Sequence, residues 1–103
     1  MPEPTVKTVL IYPYSPLWLM VARDMFPLAD IDVCDDSAPV DKLATTWYPM
    51  NFSQFWIWYG RKAWRYDVRI ETGPFGVLIH AEYPIQAMLR DAMALLDSGK
   101  AEI

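Results

Sequence analysis

The sequence predicts a small α+β domain of α/β type, and three patterns in it carry that prediction. Residues 6–12 (VKTVLIY) form a β-branched, apolar run that leads into a helix-start signal at Ser15-Pro16. Residues 64–83 alternate apolar and polar side chains on either side of Thr72-Gly73-Pro74. A long helical stripe then begins at Ile85. The expected architecture is a mixed sheet with a C-terminal antiparallel meander (strands near 52–59, 64–71 and 75–83). A helix over 16–26 and a second over 85–98 pack on it, in one domain spanning 1–103.

The elements follow in order. Continuous apolarity over residues 6–12 predicts a strand covered on both faces, near the sheet centre. In the helix that follows, Leu17, Met20, Val21 and Met25 are core candidates, with Trp18 and Leu19 partly covered. Residues 30–34 (DIDVC) alternate as a short strand does, and a short helix is expected from about Pro39 to Thr46. Residues 51–59 (NFSQFWIWY) carry two conflicting signals. Asn51 with Gln54 imitates a capping box and Gly60 supplies a helix stop, yet the aromatic and β-branched content favours a strand. We take the strand, with a tight turn at Gly60-Arg61.

The alternation of Trp64, Tyr66, Val68 and Ile70 with Arg65, Asp67, Arg69 and Glu71 marks a half-buried strand. With a four-residue loop at 72–75, Ile70 meets Val77 and Val68 meets Ile79, while Asp67 meets His80 and Arg65 meets Glu82. In the last helix Ile85, Met88, Leu89, Ala92, Leu95 and Leu96 share one face and should cover the meander, with Gly99 as the stop.

Composition bounds the function. Hydrophobic residues make up 53% and charged residues 21% of the 103, which excludes a disordered chain. Five Trp help a short chain fill its core, since a buried aromatic removes roughly 150–250 Å² from water. Cys34 is the only cysteine, so no internal disulfide, CxxC dithiol or Cys/His zinc set exists. The most apolar stretch, residues 9–22, is broken by Pro13, Ser15 and Pro16 and falls short of the ~18 residues of a span. The Met-Pro-Glu-Pro start lacks a basic n-region. A cytoplasmic protein without a membrane partner is expected.

Residues 6–33, with VLIY, then SPLW, then IDV, resemble the opening βαβ unit of glutaredoxin- and thioredoxin-like proteins. The resemblance implies a strand, an active-site helix and a second strand. That family opens its helix with Cys-Pro-x-Cys. Here Ser15, Pro16, Leu17 and Trp18 stand in those places, so dithiol exchange has no thiolate and no catalytic residue is carried over.

Other chemistry is sparse. His80, the only histidine, would form a dyad with Asp67 but lacks a nucleophile, and an ion pair across the sheet accounts for it. Asp30, Asp32, Asp35 and Asp36 lack the Gly and terminal Glu of an EF-hand loop, and four scattered glycines make no phosphate loop. No metal or cofactor is therefore expected. Charge is polarised: residues 24–41 hold six Asp and no Arg before Lys42, while residues 61–69 hold Arg61, Lys62, Arg65 and Arg69.

The outward face of the meander would gather Phe52, Trp56, Trp58, Arg65, Arg69 and Leu78, with Arg61 in the turn. Trp and Arg combine large contact area with directional contacts and dominate binding hot spots. The expected function is a small acidic, non-catalytic protein-binding domain of inhibitor, immunity or adaptor type. Its partner is another protein or a second copy, through Phe52, Trp56, Trp58, Arg61, Arg65 and Arg69. A small-molecule or enzymatic domain using His80 is the alternative. Single-stranded nucleic acid ranks third, because the formal charge is −4.

Overall fold

The computed structural model describes residues 5–37, 40–60 and 65–97. In chain order the elements are β1 (Thr8–Tyr12), α1 (Pro16–Met25), β2 (Asp30–Cys34), β3 (Thr46–Tyr48) and α2 (Phe52–Tyr59). Then come β4 (Val68–Gly73), β5 (Gly76–His80) and α3 (Tyr83–Asp97). The strands form one mixed sheet in the order β3-β2-β1-β4-β5. The first four are parallel along the sheet, and β5 returns antiparallel beside β4. The fold is thus the expected α+β domain, with corrections to individual elements.

β1 is central, as its unbroken apolarity requires. Val9 and Ile11 enter the larger core beneath α1 and α3, while Leu10 and Tyr12 face α2 on the other side. Ser15 caps α1, its Oγ accepting from the Trp18 backbone N–H at 3.2 Å, with Pro16 in the first turn. α1 buries Trp18, Leu19, Val21 and Ala22, whereas Leu17 is exposed and Met20 and Met25 are only half-buried. The expected buried face was turned by about one residue. α3 seats Ile85, Leu89 and Met93 in the same core and leaves Met88 and Leu95 exposed.

The largest correction concerns residues 52–59, which are helix rather than strand. The capping box forms in full: Asn51 Oδ1 accepts from the Gln54 N–H at 2.9 Å, and Gln54 Oε1 accepts from the Asn51 N–H at 3.2 Å. Gly60, at φ 53°, supplies the left-handed stop. Topology also demands a crossing element. The chain leaves β3 at one edge and must pass over β2 and β1 to reach β4. Hence the meander is only a two-strand hairpin.

That hairpin turns through Pro74 and Phe75 alone, with Gly73 paired to Gly76, whose φ of 143° suits glycine. Ile70 therefore faces Ile79, and His80 faces Arg69 instead of Asp67. The shift is two residues, so apolar side chains keep their face in either register. Alternation settles the face, and the turn settles the register. Asp67 serves elsewhere, its Oδ2 accepting from the Lys7 and Thr8 backbone N–H groups at the start of β1.

The expected helix near 39–46 does not form within its described residues, 40–46. Aspartates strap the segment instead. Tyr14 donates its hydroxyl to Asp41 Oδ2 at 2.6 Å and its backbone N–H to Asp35 Oδ2 at 2.9 Å, while Asp41 Oδ1 accepts from the Leu43 N–H. Arg61 and Trp64 lie outside the described residues.

Candidate functional site

The two faces of the sheet are covered unequally. α1 and α3 close one face over the main core. On the other, among the described residues, the only helix is α2, eight residues and about 12 Å long over five strands spaced about 4.8 Å apart. α2 is pinned by Phe55, fully buried over Leu10, Tyr12 and Cys34. The Phe55 ring contacts Tyr48, Tyr59 and Tyr66, with centroids 5.1, 4.6 and 6.4 Å away. An open cavity remains near each end of this helix.

The first cavity, about 400 Å³, lies at the amino ends of β1, β2 and β3. The strands supply Thr8, Asp30, Asp32 and Thr46, with Thr45 beside them, and the other side is formed by Phe55, Tyr59, Tyr66 and Arg65. Tyr66 donates its hydroxyl to Asp32 Oδ2 at 2.5 Å, and Thr46 gives Asp32 a second side-chain hydrogen bond. Burial nonetheless raises the Asp32 carboxyl above its ordinary range, with a smaller contribution from Asp30. Burial, then the bond to Asp32, pushes the Tyr66 phenol up, so it remains a donor.

The second cavity, about 710 Å³, opens where the strand order reverses, at the carboxyl ends of β1 and β4. Tyr12, Pro13, Phe52, Glu71 and the β4–β5 turn line it. Phe52 stacks on Tyr12 at 3.9 Å and 11°.

The six residues expected to form one binding surface are dispersed. Arg69 is buried, only 7% exposed, and donates from Nη1 to the Tyr12 hydroxyl at 3.2 Å. Phe52 and Trp56 are half-buried and pack on the inner aromatic cluster. Trp58 and Arg65 are exposed, and Arg61 lies outside the described residues. Leu78, also expected on that face, is exposed on β5. His80 is exposed on β5 and lines neither cavity. Sequence reasoning missed Asp32 as a site residue. Its signal was a carboxylate set between the apolar Ile31 and Val33 in a short strand.

Cys34 is buried, and its Sγ donates to the Met50 carbonyl at 2.9 Å. Burial, then Asp35 and Asp36, push its thiol up to about 12. We expect iodoacetamide at pH 8 to alkylate the native protein about a thousandfold more slowly than the guanidinium-unfolded chain, as mass spectrometry would follow. Comparable rates would mean that Cys34 is not held in this environment.

Among the described residues no three His, Cys, Asp or Glu side chains gather closely enough to hold a metal ion, and no helix is long and apolar enough to cross a membrane. Compared with known proteins, the chain matches no family model, and no curated protein or solved structure shows significant similarity to it.

Proposed function

We propose that the chain is a cytoplasmic, non-catalytic protein-binding domain of the inhibitor, immunity or adaptor kind, with its contact surface on the outer side of α2. One observation carries this reading. Ile57 is 82% and Trp58 69% exposed, adjacent on a helix that fully buries only Phe55. The Trp58 ring packs edge-on against Tyr59 at 4.7 Å, so it projects from a braced base and loses little freedom on binding. A Trp anchor of this kind suits a partner pocket that excludes water around it.

Charge narrows the partner. In sequence Arg61, Lys62 and Arg65 follow Trp58 closely in a chain whose net charge is −4. The complementary surface is an apolar pocket on another protein, bordered by carboxylates. A second copy of this chain, which has its own aspartate-rich segment, is the competing occupant. Burial of Arg69 takes one cation away from the nucleic-acid reading, and the position of His80 weakens the enzymatic one.

The test is capture from native lysate by wild type, Trp58→Ala and the remote exposed control Leu28→Ala, alongside size-exclusion light scattering. Wild type and Leu28→Ala should retain the same partner, and Trp58→Ala should lose it with an unchanged melting temperature. Equal retention by Trp58→Ala, or no captured partner at all, overturns the proposal. A wild-type dimer abolished by Trp58→Ala replaces the foreign partner with a second copy.

A further inference from the structure

The cavity at the amino ends of β1, β2 and β3 has a composition that protein binding by α2 does not use. We infer that it is a binding site for a small organic ammonium ion, held between the Asp30 and Asp32 carboxylates and the rings of Tyr59 and Tyr66. At about 400 Å³ it falls within the size range of small-ligand pockets.

Three features converge on that ligand class. The first is charge. The lining carries two carboxylates against one arginine, and Asp32 sits deeper than the exposed Arg65. The second is the ring set. The half-buried Tyr59 and Tyr66 border the cavity beside the wholly buried Phe55, and aromatic rings favour an organic cation over an anion. The third is hydrogen bonding. Thr8 and Thr46 line the same space, and their hydroxyl oxygens can accept from a primary ammonium N–H, whereas Thr45 Oγ1 already accepts from Arg23 and the Ile31 N–H.

Asp32 is also held at a cost to stability. Its carboxyl is raised by burial, so the protonated form favours the fold, and that contribution is lost as pH rises through the folded-state value. At neutral pH Asp32→Asn should therefore raise the melting temperature, because the amide oxygen keeps the acceptor role without the charge. The gain should fade at acid pH, where the wild-type carboxyl is itself protonated. A melting temperature that rises when this charge is removed would mark Asp32 as retained for binding.

Titrations of the ¹⁵N-labelled chain by NMR with putrescine and choline test the site, with 1,4-butanediol and succinate as neutral and anionic controls. Either cation should give saturable shifts centred on the amides of Thr8, Asp32, Thr46 and Tyr66. Asp32→Asn should weaken the affinity about tenfold or more, and the exposed Asp30→Asn about threefold. Trp58→Ala should bind the cation as wild type does, which separates this site from the α2 surface. If neither cation saturates, or butanediol binds as well, or both Asn variants bind unchanged, the assignment is wrong.

Discussion

Phe55→Ala should cost about 3–5 kcal/mol in urea unfolding, a large part of the stability of a domain this size. Phe55 is wholly buried, and α2 seats no other fully buried side chain on the sheet. Truncation removes its transfer free energy and leaves a void that Tyr48, Tyr59 and Tyr66 surround on several sides. Those rings are tied by their own bonds, Tyr66 to Asp32 and Tyr48 to Tyr59, so collapse into the void is restricted. Hydrogen exchange should rise first in α2, while the amides of α3 and of β4 around Ile70 keep their protection, because their core lies across the sheet. A loss below about 1 kcal/mol would show that α2 is not anchored this way. Because Phe55 also borders the first cavity, this variant should weaken ammonium binding as well.

Arg23→Met should cost about 2–3 kcal/mol, an unusual penalty for a side chain that reaches solvent. From the last turn of α1 the guanidinium donates to three backbone carbonyls. Nη1 reaches the Pro27 and Ala29 oxygens at 3.0 and 2.9 Å, while Nε and Nη2 reach the Leu43 oxygen at 3.1 and 3.0 Å. Nη2 also meets Thr45 Oγ1 at 3.1 Å, and that hydroxyl accepts from the Ile31 N–H in β2. One planar cation thus ties the end of α1, the turn into β2 and the approach to β3, and it complements the helix C-terminus. Met keeps the aliphatic stem and removes the fork. Arg23→Lys should recover less than half of the loss, since an ammonium cannot span these acceptors. A urea midpoint for Arg23→Met equal to wild type would refute this role.

Local chemistry foretold several elements well. The apolar strand of residues 6–12, the N-cap at Ser15-Pro16 and the last helix rest on neighbours in sequence, and all three appear, although Met88 and Leu95 of the expected helical stripe are exposed. Residues 51–59 show where local signals conflict. Their aromatic content reads as strand, yet a complete capping box and a crossing demanded by the sheet order make them helix. The choice had to come from outside the segment, because strand propensity reflects packing on a pleated surface.

The same division applies to the site. Period-two alternation placed Val68 and Ile70 on the core face but left their partners open, since a two-residue slip preserves every face. Arg69, Asp67 and His80 changed roles with that slip. Asp32 became a cavity carboxylate only because β3 covered β2 and made it an inner strand. Amino-acid order was enough for the class of fold, the limits of its chemistry and most helix ends, all of which depend on contacts a few residues apart. The hairpin register hung on the turn at Pro74-Phe75, whereas the face given to α2 and the meeting of Asp32 with Tyr66, 34 positions apart, depend on distant residues that only the closed sheet brings together.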